Sequence, residues 1–333
     1  MKAGRIIAPE TIEIIQTDRP DVTMEATNPD GLKDKVLIRT LSAAVCGSDH
    51  PSFLGDGHWA SFPSAPGGTL HECIGIVEKT WSDTCSEGDL VLALPGGTGA
   101  MAEYFLGQGS SVVHVPDNLP REELLMAQPL GTVIYCLKKL GLWYETEVAI
   151  MGQGPMGLLF TGVLSNLGAA KIIGIDQHQN RLEASHQMGA THTVDTSKID
   201  PVEAITDITE GRMADLVIEV VGEQDTFNTC IKLARRKADF INFGVPRKQQ
   251  YTIDMGDLFR KNLKLTTSVG PDIDIDFKSG MQMIHEKRID VSPLITHSVP
   301  FAKVQEAFEL ATRRKDECIK VIVDYEEGSR IYE

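Results

Sequence analysis

The chain has 333 residues, enough for two domains of ordinary size that each bury a core. Its 42% hydrophobic and 24% charged residues suit a soluble globular protein, and a net charge of −15 excludes nucleic acid or anionic membrane held by bulk electrostatics. No apolar run is long enough to span a bilayer.

The opening MKAGRIIAPETIEIIQ reads as a strand, without the apolar centre and cleavage site of a signal peptide. Cys46, Cys73, Cys85, Cys136, Cys230 and Cys318 are scattered, which predicts thiols that are free or metal-bound in a reducing, cytoplasmic setting. Up to about residue 115, short apolar runs (35–39, 73–78, 89–94, 102–106, 111–115) are split by Gly, Pro and Asp clusters. That pattern predicts a barrel-like β domain. A helical pattern opens at Pro120, and strands and helices then alternate to about residue 270. Five strands, at 148–151, 172–176, 215–220, 239–243 and 264–269, predict a doubly wound parallel sheet. The end returns to mixed character: a helix over 275–286, a strand or turn over 294–300, a helix over 303–314 and a closing strand over 320–324. The class is therefore α/β, with residues 1–130 and 273–333 forming one domain and 131–272 the other.

Within the second domain, the strand Val148–Met151 leads into Gly152-Gln153-Gly154-Pro155-Met156-Gly157, an apolar helix, and a second strand tipped by Asp176. Gly152 permits the tight turn, Gly154 lets backbone approach a pyrophosphate, and Gly157 lets helix and strand pack closely. Pro155 suits the first helical turn, and the free N–H groups there, around Met156, face phosphate charge. Asp176, 19 residues beyond Gly157, would accept hydrogen bonds from ribose hydroxyls and repel a 2′-phosphate, favouring NAD. Arg181 tempers that preference, since a nearby arginine can hold the same phosphate.

Two clusters ahead of this fold carry metal chemistry: Cys46-Gly47-Ser48-Asp49-His50 and His71-Glu72. Cysteine and histidine are zinc ligands, and a carboxylate can complete a catalytic set that leaves one position open. Each cluster alone also reads blandly, Cys46 as a buried core residue and His71-Glu72 as ordinary polar side chains facing solvent.

With CGSDH (46–50), HE (71–72), GDLV (88–91), AEY (102–104), QPL (128–130), GQGPMG (152–157), the Asp176 strand tip, DLVIEVVG (215–222) and KVIV (320–323), the sequence resembles the medium-chain zinc-dependent alcohol dehydrogenases. It looks most like the branch with sorbitol, threonine and sugar dehydrogenases. The resemblance implies a GroES-like catalytic domain beside a Rossmann NAD-binding domain. It implies Cys46 and His71 as zinc ligands, with Glu72 binding the ion directly or through water and Asp49 fixing the imidazole of His71. Ser48 would hydrogen-bond the substrate oxygen and pass its proton outward, to His50 or elsewhere. Val221, Val245 and Val269 fall where relatives hold the nicotinamide, and they read equally as core valines. A homo-oligomer, dimer or tetramer, joined through the edge of the cofactor-domain sheet is implied as well.

Three departures stand out. Gln128 occupies the third ligand position, where this branch usually has glutamate; it either ligates the ion or caps a helix. As a ligand it would leave the zinc unit more positive, so Glu72 would bind the ion more readily. Residues 92–101 lack the cysteine lobe of a structural zinc, so one catalytic zinc per chain and no structural one is expected. Thr69-Leu70 stands before His71 where relatives usually have glycine. The loop 51–66 should line the cleft; Phe53, His58, Trp59 and Phe62 could shape the substrate pocket, though aromatic residues in a loop more often pack locally, and the polar Asp56 and His58 lean toward a hydroxylated substrate. The expected activity is hydride transfer between NAD and a secondary alcohol or ketone, with a polyol or sugar-like substrate. The rivals are an NAD-binding protein without catalytic metal, structural or regulatory, and a metal-free reductase.

Overall fold

The computed structural model describes residues 1–20, 34–56, 60–97, 99–117, 119–141 and 144–326. Contacts divide the chain into two units: Met1–Gly131, Asp272–Glu286 and Ile295–Glu333 in the first, Thr132–Pro271 and Lys287–Leu294 in the second.

In the first unit β1 (Lys2–Ala8) and β2 (Thr11–Gln16) form an antiparallel hairpin. β3 (Lys35–Ala44) is followed by the short helix α1 (His50–Leu54), then by β4 (Glu72–Thr80), β5 (Leu90–Ala93), β6 (Tyr104–Gln108) and β7 (Val112–His114). Far along the chain, β14 (Ile295–Pro300) and β15 (Lys320–Asp324) join the same sheet, in the order β14-β15-β3-β4-β5-β7 with β6 also paired to β3. β3 and β15 therefore have neighbours on both sides. Their sequences, KVLIRTLSAA and KVIVD, are buried almost throughout, as central strands require. The helix α10 (Val304–Arg313) buries Val304, Ala307 and Phe308, three and four residues apart on one face. Phe308 meets Phe53 of α1 with ring centroids 5.1 Å apart, within a core that includes Val36, Val77 and Phe105. Burial of each such ring contributes roughly 2–3 kcal/mol. Phe53, fully buried there, is a core residue and does not shape a pocket.

The second unit alternates β8 (Glu147–Met151), α4 (Pro155–Asn166), β9 (Lys171–Asp176), α5 (Gln179–Gln187), β10 (His192–Asp195), α6 (Pro201–Ile208), β11 (Ala214–Glu219), α7 (Gln224–Leu233), β12 (Ala234–Asn242), α8 (Met255–Arg260) and β13 (Lys264–Thr267). All six strands are parallel, in the order β10-β9-β8-β11-β12-β13. The sequence pattern gives only five of them. β10 is missed because HTVD is four residues at the sheet edge with only Val194 buried, too short and too polar to stand out. The order reverses between β8 and β11, so a crevice for ligands opens beyond the carboxyl ends of those strands.

Two helices link the sheets: α2 (Arg121–Leu125) and α3 (Ala127–Leu137), and the unit boundary falls inside α3. A π-helical turn, Ile273–Phe277, leads into α9 (Lys278–His285). Residues 287–294, placed with the first domain by sequence, pack instead with the second, where Ile289 is 4% exposed beside Gly162. Among the described residues no helix is long and apolar enough to cross a membrane.

Candidate metal centre and dinucleotide site

Cys46 follows the end of β3 in extended conformation (φ −101°, ψ 155°) and opens a single 3-10 turn, Gly47–Asp49. The carboxylate of Asp49, 4% exposed, ties two loops together. Its Oδ2 accepts from the Cys46 backbone N–H at 2.8 Å, while Oδ1 accepts from Thr69 Oγ1 at 2.6 Å and from Leu70 N–H at 3.3 Å. The same Oδ1 lies 3.5 Å from His71 Nδ1. That contact turns Nε2 toward Ser48, whose Oγ is 3.5 Å away. Leu70 takes φ 65°, a left-handed bend that a glycine would accept freely. The bend costs a side chain roughly 1–2 kcal/mol, which full burial of Leu70 offsets.

Cys46 Sγ, a His71 ring nitrogen and a Glu72 carboxylate oxygen lie within 4.8 Å of one another. Among the described residues no other three His, Cys, Asp or Glu side chains gather this closely. Two ligands at ordinary zinc bond lengths in a tetrahedron stand roughly 3.5 Å apart, so a small contraction of this group closes on an ion. Thiolate, imidazole and carboxylate are also the donor chemistry zinc takes. Electrostatics agrees with the fit. Burial disfavours the imidazolium of His71, but hydrogen bonds and charge from Asp49 and Cys46 outweigh it and push the group up to about 11. Burial likewise opposes the charge of Asp49, yet His71, Thr69 and the Cys46 N–H hold its carboxyl below the usual range. A pocket that draws a proton this strongly draws a cation for the same reason, and metal entry would release the proton.

Behind Glu72 stands a residue whose role sequence reasoning missed. Lys320, first in β15, sits with Nζ 2.5 Å from Glu72 Oε2, both side chains 2% exposed. A lysine heading the apolar run KVIV was the available signal, since a lysine on a buried strand requires a partner. A cavity of about 240 Å³ adjoins the cluster, lined by Ser48, Ser52, Thr69, His71, Pro95 and Gly99 among others. Pro95, Gly97 and Gly99 thus contribute a wall, a use their sequence did not reveal.

The remaining first-unit candidates are more dispersed. Gln128 is the second residue of α3 and 6% exposed, so it lies within the helix's first turn rather than at its cap. His50 begins α1. Phe62 is 37% exposed and Asp56 is exposed; His58 and Trp59 lie outside the described residues.

In the second unit the glycine turn has the shape its residues require. Gly152 takes φ 98°, and a Cβ on Gly157 would lie 1.9 Å from the Gly152 carbonyl oxygen. Gly154 precedes α4, with Pro155 in its first turn, and Leu158 N–H returns to Gly154 O at 3.0 Å. The N–H groups before Leu158, including those of Met156 and Gly157, have no carbonyl within the helix to meet. Gln153, fully buried, ties the turn inward: its amide donates to Ile150 O and Gly152 O and accepts from Thr161 Oγ1 at 3.1 Å.

Asp176 ends β9, and its carboxylate accepts from Gln153 N–H at 2.7 Å, Gln177 N–H at 2.8 Å and His178 N–H at 3.0 Å. It therefore holds the glycine turn itself, beyond the ribose contact expected of it. Arg181 Nη1 lies 3.8 Å from Asp176 Oδ2. Val221, Val245 and Val269 all follow the carboxyl ends of strands, after β11, β12 and β13. Val245 and Val269 are 50% and 87% exposed, which rules out the core reading for both, whereas Val221 packs partly buried against the sheet core. Glu219 at the end of β11 accepts from Val221 N–H, Gly222 N–H and Thr226 Oγ1 and so fixes the turn beneath Val221; burial raises its pKa despite those bonds.

Comparison with known proteins brings these features into one frame. Residues 32–117 match a family model described as the alcohol dehydrogenase GroES-like domain, and residues 155–286 match one described as zinc-binding dehydrogenase. An L-threonine 3-dehydrogenase of Bacillus licheniformis is 28% identical over 321 residues, covering 87% of this chain and 91% of that one. A sorbitol dehydrogenase of Bacillus subtilis is 26% identical over 332 residues, covering 89% and 91%. The solved structure of zinc dependent alcohol dehydrogenase 2 from Streptococcus pneumonia superposes with a TM-score of 0.85 at 27% identity, covering 99% of this chain and all of that one. The chain belongs to the medium-chain zinc-dependent alcohol dehydrogenase superfamily, and it is an oxidoreductase.

Proposed function

We propose that this chain transfers a hydride between NAD and a small polyol or similarly hydroxylated secondary alcohol, with one catalytic zinc per chain and no structural zinc. The observation that carries the reading is the convergence of Cys46, His71 and Glu72 beside a polar cavity that also exposes Ser48. Cys46 and His71 would hold the ion with Gln128 or Glu72. Zinc there supplies Lewis acidity that lowers the pKa of a hydroxyl, while NAD accepts the hydride. Ser48 would orient the substrate oxygen and carry its proton away, with His50 as a receiver. Asp49 keeps the imidazole of His71 turned so that Nε2 faces the reacting side.

The cavity is smaller than the roughly 300–1,000 Å³ of drug-sized ligand pockets, which supports a substrate of few carbons. Its hydroxyl lining, from Ser48, Ser52 and Thr69, supports a substrate with several hydroxyls. The L-threonine and sorbitol specificities of the relatives named above favour the same class. For the cofactor, Gly152, Gly154, Pro155, Met156 and Gly157 would cradle the pyrophosphate. Asp176 favours NAD over NADP, because a 2′-phosphate would meet its negative charge while Arg181 is already drawn to that carboxylate. Val221, Val245 and Val269 would flank the nicotinamide. The test is a panel of polyols, aldoses and simple secondary alcohols scored by NADH absorbance. Turnover confined to unhydroxylated alcohols would reject the polyol reading.

Gln128 sets the charge of the centre if it ligates the ion. A unit charge at about 4 Å is worth roughly 4 kcal/mol at an effective dielectric near 20. Gln128→Glu is therefore expected to move the rising limb of the pH–rate profile upward by about one unit or more. An unmoved limb in a variant that keeps its zinc would reject a ligand role for this position.

A homo-oligomer built through the edge strand β13 completes the reading, in a cytoplasmic setting that suits mostly buried thiols that form no disulfide among the described residues. Lys264, Leu265 and Thr267 of that edge are exposed, and Phe259 and Val269 nearby are 79% and 87% exposed. A strand edge whose backbone groups have no neighbouring strand is a template for pairing with another copy. Light scattering should return a multiple of 36.5 kDa. Leu265→Lys is expected to shift the mass toward the monomer; an unchanged mass would place the contact elsewhere.

A further inference from the structure

The turns that follow β11 and β12 are stitched together around one buried carboxylate. Glu219, at the carboxyl end of β11, pairs in register with Met151 of β8 on one side and Asn242 of β12 on the other, and it is wholly buried. Its Oε1 accepts from the N–H groups of Val221 and Gly222, both at 2.9 Å, and from Thr226 Oγ1 at 2.7 Å, while Oε2 meets the Gly222 N–H at 3.2 Å. Its backbone oxygen accepts from Phe243 N–H at 2.9 Å and Gly244 N–H at 3.0 Å, so the same residue holds the β12 turn as well. That turn runs against the carboxylate: a Cβ on Gly244 would stand 2.7 Å from Glu219 Oε2. Tyr251 adds a further stitch, its hydroxyl donating to Gly222 O.

A buried charge is normally matched by an opposite one, yet among the described residues no Lys, Arg or His side chain pairs with Glu219. Arg247, on the β12 turn, lies 3.1 Å from Glu223 instead. Burial works against the Glu219 charge and Glu223 adds a second negative one, but the carboxylate's partners are all donors, as the ionised form requires.

We propose that Glu219 tunes the redox balance of the cofactor: its carboxylate, set beneath the turns that carry Val221 and Val245, favours the cationic nicotinamide of NAD over the neutral ring of NADH. This rests on the reading of those valines as flanking the nicotinamide. The ring carries a positive charge until a hydride, a proton with two electrons, cancels it. A buried charge is screened little by solvent, so the carboxylate acts on the ring through space, without touching it. Stabilising the oxidised form in this way makes bound NADH the stronger hydride donor.

Glu219→Gln keeps the shape and the Oε1 contacts and removes the charge. Dissociation constants are measured without substrate, for NAD by calorimetry and for NADH by fluorescence. The ratio of the NAD constant to the NADH constant is expected to rise about tenfold, through weaker binding of NAD. Glu219→Asp retains the charge and should hold that ratio within about threefold of wild type, even where both affinities fall. A merely structural Glu219 would weaken both forms together in Glu219→Gln; a ratio that moves by less than about threefold, or that falls, would overturn the proposal. Should Glu219→Gln fail to fold, the wild type decides the matter with an NAD analogue whose nicotinamide is replaced by neutral benzamide. NAD should bind about tenfold more tightly than the analogue, and an advantage under about threefold would overturn the proposal. A wild type that binds neither NAD nor NADH would remove the cofactor reading and this inference together; one that binds both, with a ratio unresponsive to Glu219→Gln, would remove this inference alone.

Discussion

Cys46→Ala is expected to abolish zinc retention and lower NAD-dependent oxidation by about a thousandfold or more while leaving the fold intact. Lewis-acid stabilisation is worth several kcal/mol, and each 1.36 kcal/mol is about tenfold in rate. The thiolate is the one soft, anionic donor that the geometry offers beside His71. Structural damage should be slight, because Cys46 is half-buried at a strand end and the loops around it are tied by Asp49 through backbone and Thr69 hydroxyl contacts. Zinc content, circular dichroism and turnover measured on the same sample check this. A variant that retains zinc and rate would reject Cys46 as a ligand.

Gly157→Val is the complementary experiment in the second unit. A Cβ at Gly157 would sit 1.9 Å from the Gly152 carbonyl oxygen and 3.3 Å from a Val220 methyl, so either the glycine turn or α4 must move. Backbone N–H groups aimed at a pyrophosphate tolerate little displacement. NADH affinity, read by fluorescence titration without substrate, is expected to fall about a hundredfold or more. Zinc content should not change, since the cluster belongs to the other unit. Gly154→Ala makes a mild control, because its Cβ would meet nothing nearer than Arg181 at 3.7 Å. Equal, small effects from both substitutions would contradict the role assigned to the turn.

The parts of the molecule legible in its sequence are those where one residue type answers one physical demand. Gly152 and Gly157 are fixed by backbone geometry, and the buried strands of both sheets by unbroken apolar runs. Asp49 was legible through the resemblance alone; its partners, Thr69 Oγ1 and the Leu70 N–H, come from a loop some twenty residues away and leave no local mark. Lys320 stayed hidden for the same reason, since its partner lies on a strand separated from it by most of the chain. Of the two readings open to Phe53, pocket wall or local packing, the structure takes the second, because α1 turns the ring into the core against Phe308. Asp176 was half read. Its position at the strand tip follows from the motif, but its three backbone hydrogen bonds appear only once the turn is folded.

The central claim is a zinc ion held by one thiolate and one imidazole in the first unit. Zinc K-edge X-ray absorption on the purified protein tests it most directly. One sulfur near 2.3 Å with nitrogen and oxygen near 2.0–2.2 Å is the predicted shell. A shell without sulfur, or one of four sulfurs, would contradict it.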